Sequence, residues 1–476
     1  MASWRGKTRS TRLVGCLAVT LGAAGCANPD VARPEAGIPV PASWAETERA
    51  PLPLDVARYW RLLDDPLLTQ FVEAALSSNL DLAQSAARLE QARAQLRGAR
   101  AGYLPQVTAS GRVQQDVLDN ASDRPLISLG ADAGWELDLF GRIGGNVAAS
   151  EADLAAAGYS RADLQRLIAG QVALATIGGR AMALQLAVAR DTLNYQDENL
   201  QIARWRVQAG LVSSLDVEQA RSQRAQTAAS IPLLESNLAA AANALSTLMG
   251  EPPGRVLGLL RDPAAIPGPP DVAGFEAPAE VLRRRPDVRG AEASLVASMA
   301  RIQVARAQLL PAIQLGGTLG TSTLGLGGLF DVITGGVFGS LSQLIFDGGR
   351  TRAQVDSARA AADGALAAWR QSILGALEDV ETAAVDLDKS RERVGIYAEA
   401  FDAANNSAIL ARSQYQAGLT DFRNLLTSEN QLLSARNAQI AAEADRASAF
   451  VRLTQALGGG WSPADHPLPI SDGTDP

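Results

Sequence analysis

The chain repeats itself. Ala92-Arg93-Ala94-Gln95-Leu96, leading to Tyr103-Leu104-Pro105, returns as Ala300-Arg301-Ile302-Gln303, leading to Leu309-Leu310-Pro311. Leu139-Phe140-Gly141-Arg142 returns, with an insertion, as Ile345-Phe346-Asp347-Gly348-Gly349-Arg350, and Val207-Gln208-Ala209-Gly210-Leu211 as Tyr415-Gln416-Ala417-Gly418-Leu419. The offsets stay between 206 and 208 residues at all three places. A constant register means one structural unit used twice, so any fold must accommodate two like halves.

Each copy follows the same plan. A segment of helical period, about residues 80–101 and again 286–307, ends at Leu-Pro, where proline stops it. Strand-like alternation follows. Ile127, Leu129, Ala131, Ala133, Trp135, Leu137 and Leu139 face one way, with Ser128, Asp132, Glu136 and Asp138 the other. Val107, Ala109, Gly111 and Val113 alternate likewise with Gln106, Thr108, Ser110 and Arg112. Period two with one polar side describes a sheet between two different solvents. The second copy offers Ile313, Leu315 and Leu319 against Gln314, Thr318 and Ser322, then a Gly-rich strand over about 330–346.

Long helical stretches follow each strand pair. No proline falls between Pro125 and Pro232, or between Pro311 and Pro463, and strong helix formers dominate. Both runs break at Ala-Gly-Leu, at Ala209 and Ala417, before Ser213, Ser214, Thr420 and Asp421, which can cap a following helix. Residues 145–209 would span roughly 100 Å as one helix. Gly170, Gly178 and Gly179 are places where it could bend or approach a neighbour closely. The expected organisation is a first repeat at 67–249 with a strand pair near 105–140, and a second at 279–457 with a strand pair near 312–346. Three segments lie outside it: 26–66, a connector at 250–278 with seven prolines, and the tail 458–476. They are expected to pack as an irregular belt around the helices, the alternative being flexible linkers.

The N-terminus reads as an address. Arg5, Lys7, Arg9 and Arg12 precede an apolar run at 13–21 and then Gly22-Ala23-Ala24-Gly25-Cys26. This is an export signal over 1–25, too short in its apolar part to span a bilayer. Cys26 after small residues resembles a bacterial lipobox, which marks it as the lipidation (palmitate) site. Ala23 stands where leucine is usual, and Leu13-Val14-Gly15-Cys16 fits the pattern but leaves almost no apolar run before it. The alternative is a plain signal with an incidental cysteine.

Composition excludes several functions. With two cysteines and one histidine, His466, in 476 residues, disulfide frameworks, His-based catalysis and His-rich metal sites have no material, and neither cofactor nor metal is expected. A net charge of −8 without a basic face argues against nucleic acid. Gly6-Lys7-Thr8 lacks the earlier glycine of a phosphate-binding loop, and Gly325-Leu326-Gly327-Gly328 fits an extracellular turn. No catalytic residues are found, so the chain is not read as an enzyme. Away from the signal no uncharged run of about 18 apolar residues occurs, so any membrane crossing falls to strands. Four strands cannot close a barrel, so an exported chain of this kind must pool strands between subunits, eight from two copies or twelve from three.

The lipobox, Leu137-Asp138-Leu139-Phe140-Gly141-Arg142, Ile345-Phe346-Asp347-Gly348-Gly349-Arg350, Arg284-Arg285-Pro286-Asp287-Val288 and the paired Gln-Ala-Gly-Leu turns together resemble the outer membrane factors, the TolC-like exit ducts, closest to their OprM/NodT lipoprotein branch. The resemblance covers nearly the whole mature chain, in order. It implies a mainly α fold with a membrane β part: a homotrimer with a 12-stranded outer-membrane barrel continuous with a long periplasmic α-helical barrel. It further implies partners, namely a periplasmic adaptor, an inner-membrane pump and outer-membrane lipid, in a Gram-negative multidrug-resistance system. The expected function is passive exit of small toxic compounds in a tripartite, RND-type efflux system. The alternatives are a type I protein-secretion duct and a periplasmic adaptor lipoprotein, which would carry one hairpin rather than duplicated strand pairs.

Carried across, Ala209, Gly210, Leu211, Val212, Ala417, Gly418, Leu419 and Thr420 are the adaptor-docking tip. Asp216 and Tyr415 match gate positions and could hydrogen-bond between neighbouring helices. This chain departs from the pattern at the second tip, where Thr420 replaces an arginine and Leu426-Thr427-Ser428-Glu429 replaces Leu-Asp-Ala-Gln. Asp421 and Arg423 are the candidate substitutes.

Overall fold

A computed structural model describes residues 36–45, 55–115, 125–270, 276–324 and 327–462. The export signal, Cys16 and Cys26 lie outside the described residues, as do most of the tail and parts of the N-terminal and connecting segments. A 3-10 helix, Val56–Leu63, leads into α1 (Pro66–Ser78), α2 (Leu80–Ala101), β1 (Gln106–Gln114), β2 (Leu126–Leu137), α3 (Arg142–Gln208) and α4 (Ser214–Leu248). Two short helices, α5 (Arg255–Leu260) and α6 (Pro278–Arg284), precede α7 (Pro286–Ala307), β3 (Ala312–Leu324), β4 (Thr334–Ser342), α8 (Arg350–Gln416) and α9 (Phe422–Ala456). The duplication is exact in length where it matters: α2 and α7 have 22 residues, α3 and α8 have 67, α4 and α9 have 35. Each second-copy member starts 206 or 208 residues after its counterpart.

The described chain forms two compact units. One holds the strands, with Arg88–Ala157 and Gly290–Arg370. Its sheet is antiparallel in the order β1-β2-β3-β4, so the two hairpins join through β2 and β3. The register puts Val107, Val113, Leu129, Trp135, Leu315, Leu319, Val337 and Leu341 on one face, and Thr108, Asp132, Glu136, Gln314, Thr318 and Ser340 on the other. The alternation expected from sequence is thus one continuous two-sided sheet. Both β1 and β4 are open edges of this sheet, exposed along their length.

Strand ends fall inside the expected limits, for a local reason. β2 stops at Leu137, not Leu139, because Asp138 turns to cap α3: its carboxylate accepts the N–H groups of Ile143 (3.0 Å) and Gly144 (2.6 Å). The second copy repeats this with Asp347, which accepts the Gly349 N–H (2.9 Å) and the Thr351 N–H (2.8 Å) and hydroxyl (2.6 Å). These bonds hold the Asp347 carboxyl below the usual carboxylate range, the Thr351 hydroxyl bond first. The shared Phe-Gly-Arg and Phe-Asp-Gly-Gly-Arg motifs are therefore strand-to-helix corners, with Gly141, Gly348 and Gly349 at positive φ. β4 is shorter than expected because residues 327–332 are turn or irregular and the chain leaves the sheet after Ser342.

The other unit holds the main core. Tyr59, Trp60, Leu68 and Phe71 pack on Ile168, Val172 and Ile177 of α3, Leu238 and Leu245 of α4, Leu260 of α5 and Phe450 of α9. Among the described residues outside the repeats, Tyr59, Trp60, Val256 and Leu260 are buried in this core. An 18-residue window of α3 is apolar enough to suggest a membrane span, yet 56% of it is buried in the chain. Gly170 allows the close approach anticipated for it, since the Gln455 side chain crosses there to donate to the Arg166 carbonyl (3.1 Å) and a Cβ would collide with it. α4 runs through Pro232, which removes one internal hydrogen bond without ending the helix.

The Arg284-Arg285-Pro286-Asp287-Val288 motif has a structural job here. Arg284 donates to the Leu457 carbonyl (3.0 and 2.7 Å) and Arg285 to that of Ala456 (3.0 Å), so both satisfy orphan carbonyls where α9 ends. Arg285 also pairs with Asp287 (2.6 Å) and Asp379 (2.9 Å). Burial would raise the Asp287 carboxyl, but the Arg285 guanidinium and the Val288 N–H hold it below its ordinary value.

Candidate functional site

The two hairpin turns between the long helices share one geometry. In the first, Gly210 N–H donates to Val207 O (3.0 Å) and Leu211 N–H to Arg206 O (2.9 Å). In the second, Gly418 N–H donates to Tyr415 O (3.0 Å) and Leu419 N–H to Gln414 O (2.8 Å). These paired bonds close both helices as Schellman motifs, with Gly210 at φ +71 and Gly418 at φ +74. The capping reading of Ala-Gly-Leu therefore holds. The leucine after such a glycine ordinarily folds back on its own helix, but Leu211 is 73% and Leu419 78% exposed. Ala209, Ala417 and both glycines are exposed beside them, with Val212 and Thr420 half-buried.

The next helices start on side-chain caps. Ser213 accepts the Leu215 N–H (3.2 Å), and Asp421 accepts the Asn424 N–H (2.9 Å). Asn424 also donates to the Thr420 hydroxyl (3.1 Å). Asp421 is thus occupied as a cap, whereas Arg423 is exposed and forms no ion pair within the described residues. Asp216 lies in the first turn of α4.

Tyr415 is 2% exposed, its ring 5.4 Å from that of Phe422. The hydrogen bond anticipated between Tyr415 and Asp216 is not made within the chain: the Tyr415 hydroxyl is buried without a partner. Tyr415 is instead engaged by Arg206, whose guanidinium lies 4.2 Å from the centre of the Tyr415 ring and donates to the Tyr415 (2.7 Å) and Gln416 (3.2 Å) carbonyls. Burial raises the Tyr415 hydroxyl, Arg206 pulls it back and Asp216 pushes it further up. One arginine from the end of α3 therefore holds the end of α8 by its last carbonyls and by a cation–π contact.

Farther along the helices, Arg412 forms a two-point pair with the buried Glu429 (2.5 and 2.9 Å) and lies over the Tyr195 ring at 4.9 Å. The Glu429 bond comes first among the causes that raise Arg412. Gln223 and Asn430 exchange amide hydrogen bonds (2.6 and 3.2 Å). Sequence reasoning missed Arg206, Arg412 and the Gln223–Asn430 pair. Glu429 carried a signal, because it stands where the family pattern has glutamine. Among the described residues no cluster of three or more His, Cys, Asp or Glu could hold a metal.

The comparison with known proteins turns on the same duplication. The model of the family "Outer membrane efflux protein" matches twice, over residues 71–251 and 277–459. The chain belongs to this outer-membrane efflux family. Nodulation protein T of Rhizobium leguminosarum bv. trifolii is 30% identical over 455 residues, 92% of this chain and 95% of that one. Outer membrane protein OprJ of Pseudomonas aeruginosa is 33% identical over 480 residues, 94% and 95% of the two chains. Among solved structures, the outer-membrane channel OprN superposes with TM-score 0.80 at 33% identity, covering 90% of this chain and 99% of that one. CusC superposes with TM-score 0.79 at 25% identity, over 90% and 99%. The mainly helical fold with its four-stranded sheet is thus that of outer-membrane channels, and the chain is an outer-membrane efflux protein of the Gram-negative type.

Proposed function

We propose that three copies of the chain assemble into one duct: twelve strands as an outer-membrane barrel, continued by the paired long helices as a periplasmic tunnel. The observation that carries this is the open sheet. β1 and β4 each present an unpaired edge, and the face bearing Val107, Leu129, Trp135, Leu319 and Val337 is apolar and exposed. Edges left in lipid cost several kcal/mol per orphan group, so they must pair with another copy. Its partners are a periplasmic adaptor and an inner-membrane pump, which supplies the energy. The cargo is small toxic compounds, a class in keeping with the names of relatives such as the toluene efflux pump outer membrane protein TtgF of Pseudomonas putida. Acylation of Cys26 anchors the mature chain in the same membrane, and residues 26–66 and 250–278 form its equatorial belt.

The turn residues Ala209, Gly210, Leu211, Val212, Ala417, Gly418, Leu419 and Thr420 are the adaptor-docking tip, where small side chains admit backbone contact. Arg206, clasping Tyr415, takes over the part of the arginine missing at Thr420. Asp216 and Arg423 are then free to act between copies, and Asp421 serves as a cap. The test is native mass and planar-bilayer conductance of protein extracted from outer membranes. Three acylated chains that conduct support the duct, while a single non-conducting chain refutes it.

A further inference from the structure

We propose that Phe338 and Asp132, on the polar face of the sheet, form a transit-binding station for cationic aromatic solutes. The inference rests on the duct reading, in which that face lines the lumen. The register sets Gln106, Gly134, Gly316 and Phe338 side by side across β1, β2, β3 and β4. Phe338 is the one aromatic side chain on this face among the described residues of the sheet. Its ring lies over Gly316, where a Cβ would come within 2.3 Å of it, and 55% of the residue stays exposed. The glycine thus gives the ring a fixed seat, and rigid rings bind at little entropic cost.

Phe338 shares a cavity of about 530 Å³ with Asp132, Gln314, Glu136 and Arg142. Glu136 is neutralised by Arg142 through two bonds of 2.7 and 2.6 Å. The Asp132 carboxylate has no hydrogen-bond or ion-pair partner among the described residues. The cavity therefore presents one seated aromatic face and one uncompensated negative charge. That combination attracts a planar cation by stacking and charge together, and repels an anion of the same shape.

The probe is ethidium, titrated by fluorescence against detergent-solubilised, purified full-length protein whose oligomeric mass is measured in the same sample. The expected result is saturable binding of one ethidium per chain. Phe338→Leu, which keeps a cover over Gly316 but removes the ring, weakens it about five- to tenfold, and Asp132→Asn about fivefold, while Phe338→Tyr retains it. Naphthalenesulfonate, aromatic but anionic, binds weakly and gains from Asp132→Asn. Equal ethidium affinity in trimeric wild-type protein and trimeric Phe338→Leu or Asp132→Asn overturns the station but leaves the duct standing. A wild-type chain that is monomeric overturns both. If Phe338→Leu does not assemble, Asp132→Asn and the anionic probe decide the question alone.

Discussion

The two copies of the repeat do one mechanical task with different chemistry. Where the first copy enters α2, Asn79 donates to the Leu248 carbonyl at the end of α4 (2.8 Å), and its own side-chain oxygen accepts the N–H groups of Asp81 and Leu82. At the matching place in the second copy, Arg285 donates to the Ala456 carbonyl at the end of α9 and is held by Asp287 and Asp379. A neutral amide ties one repeat, and a buried arginine held by a half-buried and an exposed carboxylate ties the other. The tips diverge in the same way. Equivalent turns carry Arg206 in one and Gln414 in the other, so the clasp runs only from the first helix to the second. Duplication preserved the lengths of the three longer helices and the turns between them, while side chains at the contact points specialised.

The sharpest break concerns the sheet, which both copies share. Leu129→Arg with Trp135→Arg sets two charges on the apolar face, each costing up to about 2–4 kcal/mol according to its depth in the bilayer. Outer-membrane assembly should be lost, as read by the amount of oligomer recovered from outer membranes. A double variant that assembles normally would mean that this face does not meet lipid.

Next in size are the ties. Arg285→Ala removes the buried guanidinium that serves the Ala456 carbonyl and pairs with Asp287, and should cost about 2–3 kcal/mol, whereas Asn79→Ala should cost about 1–2 kcal/mol. Thermal unfolding of the two variants measures the gap, and equal losses would erase the contrast. Acid separates them too. The Asp287 carboxyl is depressed in the folded chain, so its stabilisation is complete above the ordinary carboxylate value of 3.8 and is lost as pH falls through the lower folded value. Unfolding midpoints followed downward from pH 5 should therefore drop less steeply in Arg285→Ala than in the parent, and stay parallel to it in Asn79→Ala.

Smaller effects sit at the tips. Arg206→Ala should raise single-channel conductance several-fold by freeing the end of α8, whereas Gln414→Ala should leave it within the parent's range. Gly210→Ala and Gly418→Ala meet no neighbouring atom within 4 Å, so each should cost only the backbone strain of positive φ, about 1 kcal/mol, in thermal melts.

Most of the fold was legible because its signals are local or periodic. Alternation over residues 127–137, proline after residues 104 and 310, and Ala-Gly-Leu at both turns each fix structure within a few residues. The side chains that join the helices were not legible. Arg206 to Tyr415 and Arg285 to Ala456 are separated by 209 and 171 residues, and an arginine near a helix end looks the same in sequence whether it faces water or a carbonyl. Asp421 could be read as a cap because it is a short polar residue directly after the Ala-Gly-Leu break. Arg412 could not be read as the partner of Glu429, since no local pattern marks a charge pair between two different helices.

The central claim is that the open edges β1 and β4 close on other copies of the chain. Ser110→Cys on β1, combined in turn with Gly336→Cys, Phe338→Cys or Ser340→Cys on β4, tests it by oxidation in intact outer membranes, read as covalent species on a denaturing gel. At least one pair should give a cross-linked ladder ending at three chains. If every pair stays a single chain, or if linkage occurs only within one chain, the edges do not meet between copies and no three-chain barrel forms.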